Sequence, residues 1–343
     1  MGTTVAITGG TGYIAGFITA EFLNHGYEVR VSIRDPAKMD RLIQGLDGWV
    51  EQDSLSRLTG FTADLTSPDG WAQGFEGADG VIHVASPLGH NTESASQLTA
   101  VAKGGVLNVL EAAKNAGVER VVMTSSGGAC TPRSSVGAVQ LDETFWSDPD
   151  NRELSSYRVS KIHAEKAAWA FAQDRGIRLT TILPGSVFGP LMRKGVISSN
   201  EILRRLLDKE VPAAARVPLD ITDVRDLAAL HRLGFENDAA IGERFLATGP
   251  SMSLPQITAL FLEHFPQTNT PEGMVPNWVV RVAAVFIPSL RQIVPMLDRR
   301  YTHTTGKAES LLGWTQRPPQ ETVLDAAQSL IDFGLVPLKA AQR

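Results

Sequence analysis

Tyr157 and Lys161 stand four residues apart in Ser155-Ser156-Tyr157-Arg158-Val159-Ser160-Lys161. The Ala, Glu and Lys content and apolar spacing of residues 156–175 predict a helix, on which both side chains share one face. An ammonium beside a phenol favours the phenolate, so the Tyr157 pKa is expected to fall from about 10 towards the working pH. A tyrosine tuned in this way can give a proton to a substrate oxygen or take one from it. Upstream, Thr124-Ser125-Ser126 supplies hydroxyls. An ordinary helix with one aromatic and one solvated lysine shows the same spacing, so the case for chemistry needs a second signal.

The N-terminus supplies it. Residues 3–8 read as a buried strand that runs into Thr8-Gly9-Gly10-Thr11-Gly12-Tyr13-Ile14-Ala15-Gly16, then a helix to His25 closed by Gly26. Strand, glycine turn and helix open a dinucleotide-binding unit, with the pyrophosphate expected at the helix N-terminus. The spacing is Gly9-x-x-Gly12-x-x-Ala15.

Residues 28–33 form the expected second strand, ending in Arg34-Asp35-Pro36, where Asp35 caps a helix. The end of this strand reads the adenosine ribose, and an arginine there accommodates a 2′-phosphate. Arg34 therefore points to NADP(H), with Arg41 as possible support, although an ordinary surface arginine looks the same. Asp64, after a third strand at 58–62, suits the adenine amino group or a cap for a helix near Ser67-Pro68. Residues 81–86 form an apolar fourth strand, in which His83 reads as a core histidine. A long helix at 94–115, a fifth strand at 120–126 carrying Ser125 and Ser126, and a sixth at 178–183 complete the alternation. The expected fold is α/β: a doubly wound parallel sheet of Rossmann type over 1–189. Residues 190–343 are expected to form a smaller, mainly helical substrate lobe. Its helices lie at 199–209 and 224–235, and a short strand at 243–247 could rejoin the sheet.

With 343 residues, 43% apolar and 20% charged, the chain is large enough for one large or two unequal domains. A net charge of −5 argues against nucleic acid as a partner. Cys130 is the only cysteine, so no intrachain disulfide or cysteine-rich zinc site is possible, no metal is expected, and a reducing compartment follows. No secretory signal is visible, and residues 278–297, interrupted by arginines and prolines, suit a pair of packed helices rather than a membrane span. A cytoplasmic monomer or homodimer acting on a small carbonyl compound is expected, with no membrane partner.

Taken together, Thr8-Gly9-x-x-Gly12-x-x-Ala15, the serine pair and Tyr157-x-x-x-Lys161 resemble the extended short-chain dehydrogenases/reductases. Within them the chain is similar to the branch of dihydroflavonol 4-reductases, cinnamoyl-CoA reductases and yeast-type aldehyde and ketone reductases. The carrying segments include Ile33-Arg34-Asp35-Pro36, His83-Val84-Ala85-Ser86-Pro87, Asp142-Glu143-Thr144-Phe145-Trp146 and the tail Leu312-Gly313-Trp314. The resemblance implies that Tyr157 is the general acid, that Lys161 tunes it and binds the nicotinamide ribose, and that Ser126 bonds the substrate oxygen, with Ser125 as fallback. It implies cofactor contacts at Thr8, Gly9, Gly12, Tyr13, Ile14, Arg34, Asp64, Leu65, Val84, Ala85, Ser86, Tyr157, Lys161, Pro184 and Val187. Flavonoid-reducing members carry Asn or Asp shortly after the catalytic serine, where an ungapped count gives Thr131 here. That favours a broader NADPH-dependent aldehyde or ketone reductase. Leu191, Met192, Val196, Phe261, Phe265, Trp278, Val279 and Phe286 are expected to line a cleft for an apolar or aromatic substrate, or else to be the lobe's own core. Two competing readings use the same scaffold. A nucleotide-sugar epimerase or dehydratase would place an acidic residue at Arg34, and a dinucleotide-sensing regulator would lose the Tyr-Lys pair.

Overall fold

The computed structural model describes residues 2–87, 95–287, 290–291 and 293–339, so the expected helix start at Ser94 lies outside the described residues. In chain order the first half contains β1 (Thr4–Ile7), α1 (Tyr13–Asn24), β2 (Glu28–Ile33), α2 (Met39–Leu46), β3 (Leu58–Thr62), α3 (Trp71–Phe75), β4 (Gly80–His83), α4 (Ala95–Asn115) and β5 (Arg120–Thr124). Next come β6 (Gln140–Leu141), α5 (Ser156–Arg175), β7 (Arg178–Pro184), β8 (Ser186–Phe188), α6 (Glu201–Leu207), β9 (Pro218–Asp223), α7 (Val224–Glu236) and β10 (Arg244–Ala247). The chain closes with β11 (Ser251–Ser253), α8 (Leu254–His264), α9 (Asn277–Phe286), β12 (Thr302–His303), α10 (Gly306–Leu312) and α11 (Pro319–Asp332).

Seven strands form one parallel sheet in the order β10-β7-β5-β4-β1-β2-β3. This is the doubly wound arrangement, and its strand order reverses between β1 and β4. Strands covered by helices on both faces must be apolar throughout, and β4 and β5 are buried along their whole length. Trp71 of α3, Val106 and Leu110 of α4 and Ala168 of α5 form the core on one face. On the other, Ile18 and Phe22 of α1 and Leu227 of α7 belong to a core that continues through Leu203, Phe261, Trp314 and Leu330. Local signals set the helix ends. The Ser155 hydroxyl accepts from Arg158 N at the start of α5, and Gly176, at φ 70°, ends it.

The short strand expected at 243–247 does rejoin the sheet, since β10 pairs in parallel with β7. A small sheet, β11-β9-β8, crosses residue 189, so the apolar core is continuous there. The helix expected near Ser67-Pro68 begins instead at Trp71. Asp64 spends its carboxylate on a turn, accepting from Thr66 N at 2.8 Å and Thr66 Oγ1 at 2.7 Å, and Trp71 Nε1 donates to Asp64 O and Ser67 O. One α-helix, and not the expected pair, lies among the described residues of 278–297. Among the described residues α9 is followed by a 3₁₀ turn at Val294–Met296, and α9 leaves Trp278 67% and Phe286 79% exposed.

Candidate functional site

The carboxyl ends of β1, β4, β5 and β7 open into a cleft of about 740 Å³. Every residue implied above as a cofactor contact lies on its wall except Thr8. Thr8 is buried just beneath. Its hydroxyl oxygen accepts from Val84 N and Ala85 N, both at 3.0 Å, and lies 2.9 Å from His83 Nδ1. Thr8 thus fixes the loop after β4, and burial holds His83 at a pKa of about 3, with Lys161 pushing the same way. The ring is a neutral core group, as its apolar neighbours suggested.

The glycine turn fits a dinucleotide backbone. Gly9 adopts φ 74°, a conformation that suits glycine, and its N–H donates to Ser32 Oγ at 2.8 Å. At Gly10 a Cβ would lie 2.6 Å from Val31 Cβ, so any side chain there would push the turn off β2. Gly12 offers no side-chain cap, and the first-turn amides of α1 face the cleft as an anion cradle. At the adenosine end the Arg34 side chain is 78% exposed and Nη1 stands 3.9 Å from Asp64 Oδ2. An exposed pair at that distance contributes little, which leaves the guanidinium available for a phosphate. Hydrogen bonds from Thr66, the backbone one first, hold the Asp64 carboxylate below its ordinary range. Arg41 is exposed on α2 and does not reach the cleft wall.

At the other end the structure brings Ser126, Tyr157 and Lys161 onto one wall. Lys161 is 3% exposed and its Nζ donates to Thr124 O at 3.0 Å, so α5 is clamped to the end of β5. Burial lowers the Lys161 pKa to about 8, partly opposed by Glu165. The expected downward pull of Lys161 on Tyr157 is not what the geometry gives. Burial raises the phenol above its ordinary value, and the cation that opposes this is Arg158, the next residue. The serines separate cleanly. Both line the cleft, but Ser125 Oγ is buried and donates to Glu165 Oε2 at 2.6 Å, whereas Ser126 is half-buried and its Oγ accepts from Gly128 N at 3.1 Å.

The apolar lining expected for the substrate end is absent from the cleft wall. Leu191, Phe261 and Phe265 are core residues, Met192 and Val196 pack against α1 and α2, and Trp278 and Phe286 face outward. The wall facing Ser126 is mixed instead, built from Thr131, Arg158, Ser198, Ser199, Asp220, Thr248, Arg299 and His303, with Pro218, Leu219 and Met296 among them. Thr131 donates its hydroxyl to Gly127 O at 3.1 Å. Asp220 accepts from Arg299 Nη1 at 2.9 Å and lies 3.1 Å from His303 Nδ1; His303 Nε2 lies 2.8 Å from Cys130 O. Burial alone would raise the Asp220 carboxyl, but His303 and Arg299 outweigh it and hold the pKa at about 2. Arg158 could have been found in the sequence, since it directly follows Tyr157. Asp220, Arg299 and His303 meet across some eighty residues and carry no local signal.

A doubly wound sheet with a glycine turn, a phosphate cradle and a Ser, Tyr and Lys wall defines a dinucleotide-dependent enzyme scaffold. Residues 5–246 match the family model described as the NAD dependent epimerase/dehydratase family, and the chain belongs to that family, the extended short-chain dehydrogenases/reductases. It is similar to "Cinnamoyl-CoA reductase 1" of Oryza sativa subsp. japonica, 36% identical over 272 residues, 77% of this chain and 76% of the relative. It is also similar to "Dihydroflavonol 4-reductase" of Zea mays, 29% identical over 98% of this chain and 91% of that one. Among solved structures, yeast methylglyoxal/isovaleraldehyde reductase Gre2 complexed with NADPH superposes with a TM-score of 0.81. It is 25% identical and covers 97% of this chain and 99% of its own. The relatives are thus named as reductases, and the solved neighbours include NADPH complexes of Gre2 from yeast and from Candida albicans.

Proposed function

We propose that this chain is an NADPH-dependent reductase that converts an aldehyde or ketone to the alcohol. The observation that carries the reading is that one cleft joins the glycine turn and the exposed Arg34 at one end to Ser126, Tyr157 and Lys161 at the other. Gly9, Gly12 and the first-turn amides of Tyr13 and Ile14 would hold the pyrophosphate, and Arg34 the 2′-phosphate. When bound, the dinucleotide supplies the hydride. Ser126 Oγ, free of Glu165, orients the carbonyl oxygen by a hydrogen bond. Tyr157 keeps its proton at neutral pH because burial disfavours the phenolate, so it is poised to donate that proton to the same oxygen. Arg158, the cation that opposes burial at the phenol, then stabilises the charge left on it. The apolar-body part of the substrate expectation has lost the lining that motivated it, so the class is kept to carbonyl compounds. We further propose that residues 190–343 act as a substrate-side lobe against the 1–189 nucleotide-binding part, since Ser198, Asp220, Thr248, Met296, Arg299 and His303 face Ser126 across the cleft.

No helix among the described residues is long and apolar enough to cross a membrane. The lone cysteine, buried Cys130, keeps a reducing compartment such as the cytoplasm as the proposed location. Light scattering decides between monomer and homodimer.

NADPH absorbance followed with aryl ketones, β-keto esters, aliphatic aldehydes, a dihydroflavonol and a nucleotide-sugar tests the activity. Tyr157→Phe tests the acid: kcat should fall by about 10²–10⁴ while NADPH still binds. Turnover retained in the Phe variant would remove Tyr157 from that role. Conversion of the nucleotide-sugar without net NADPH oxidation would favour the epimerase reading.

A further inference from the structure

We propose that the carbonyl substrate carries an anionic oxygen group, a carboxylate being the simplest case, held by Arg158 beside the Ser126–Tyr157 site. The inference deepens the reductase reading and rests on it. Arg158 lies on the cleft wall and is half-buried. A Cβ at Gly128 would come 3.0 Å from Arg158 Cγ, so the stem lies directly against the turn whose amide donates to Ser126 Oγ. From there the guanidinium reaches Met296, with Nη2 at 4.0 Å from Sδ. That path carries it over the serine turn to the wall shared with Asp220, Arg299 and His303.

Of the other charged groups here, Lys161 is turned to Thr124 O and the rest are paired with one another. Asp220 is held by both terminal nitrogens of Arg299 and faces His303 Nδ1. Ser126, Thr131 and Thr248 are neutral. Among the described residues no carboxylate pairs with Arg158, whereas Arg204, Arg225, Arg232, Arg244 and Arg299 each have one. A half-buried cation without a counter-ion loses hydration, and the weak thioether acceptor of Met296 recovers little of it. A planar guanidinium in that state suits a carboxylate, which it can bind through two parallel hydrogen bonds.

The test compares straight-chain oxo acids, with the carboxylate one to four methylenes from the ketone, against their methyl esters. Both series are run on the NADPH-loaded protein, on Arg158→Met and on Arg158→Lys. Calorimetry on the NADP⁺-loaded protein measures binding of the matching hydroxy acids and hydroxy esters. At the best chain length the unmodified protein should prefer the acid by about tenfold to a hundredfold in kcat/KM, as one charge-assisted contact allows. Arg158→Met should lower kcat for acids and esters alike, because Arg158 also opposes burial at Tyr157. In addition it should collapse the acid-to-ester ratio through KM for the acid, whereas Arg158→Lys should keep part of it. A role confined to the fold or to Tyr157 would lower both series together and leave the ratio alone. An ester turned over as well as its acid at every length, or a ratio unchanged in Arg158→Met, overturns the proposal. If neither series is reduced, the reductase reading fails, and the calorimetry decides the anion site by itself: equal affinity for hydroxy acid and hydroxy ester sinks it.

Discussion

Glu165 and Arg244 form a buried ion pair, with Nε 2.9 Å from Oε1 and the Glu165 side chain fully inaccessible. The pair ties the edge strand β10 to α5, one turn beyond Lys161. The same carboxylate accepts from Ser125 Oγ at 2.6 Å and Thr181 Oγ1 at 2.8 Å, and the Arg244 guanidinium stacks 3.7 Å from the Trp146 ring centre. A carboxylate with this many donors fixes where the proposed proton donor stands relative to β5. Glu165→Gln should leave Arg244 buried without its counter-charge and cost about 3 kcal/mol of stability. Replacing both residues by Met should cost clearly less than the sum of the single changes, because each removes the other's uncompensated charge. Urea unfolding of the four proteins checks this, and additive costs would show that the pair is not coupled.

The two serines should fail in different ways. Ser125→Ala removes a buried donor to Glu165, and about 1–2 kcal/mol of stability should go with it while turnover changes little. Ser126→Ala should leave the fold alone and reduce kcat by about 10²–10³, the range for one donor to a developing oxyanion. Steady-state rates and melting curves on both variants separate the assignments. If Ser125→Ala carried the rate loss, the roles would be reversed.

Lys161 is a site where position and stability conflict. Its pKa in the fold is about 8, below the unfolded value of about 10.4. Below pH 8 both states hold the proton, and the buried charge lowers stability by its full amount, about 3 kcal/mol. Between pH 8 and about 10.4 the unfolded chain binds more protons, so stability rises with pH as this cost disappears. Lys161→Met should therefore be the more stable protein at pH 7 and should lose that advantage as the pH rises past 8. It should also be inactive. Chemical denaturation at pH 7 and pH 9.5 gives the comparison, and an advantage that grew with pH would contradict the burial argument.

Arg34 has only a long contact to Asp64, so Arg34→Ala should be nearly silent in stability. The same change should raise KM for NADPH by about one to two powers of ten and leave KM for NADH almost unchanged. Kinetics with the two cofactors check the difference, and equal use of both by the unmodified protein would remove Arg34 as the discriminator.

Much of this was written locally along the chain. A parallel sheet requires apolar strands, a turn from strand to helix requires glycine where φ is positive or a neighbour is too close, and a helix puts residues four apart on one face. Those rules place Gly9, Gly12, Arg34, Tyr157 and Lys161 from sequence alone, and the structure brings them to one cleft. What only the tertiary structure decided depends on neighbours distant in sequence. Ser126 is the open hydroxyl because Glu165, held by Arg244, takes Ser125. Tyr157 sits above its ordinary pKa because desolvation sums over everything packed around it and outweighs the nearby cations. The large apolar residues after position 190 read equally as cleft or core, and folding sent Leu191 and Phe261 to the core and Trp278 and Phe286 to the surface. The polar wall of Asp220, Arg299 and His303 exists only once β9 and the segment before α10 meet, since burial and Coulomb fields are set by three-dimensional proximity, which residue spacing along the chain does not encode.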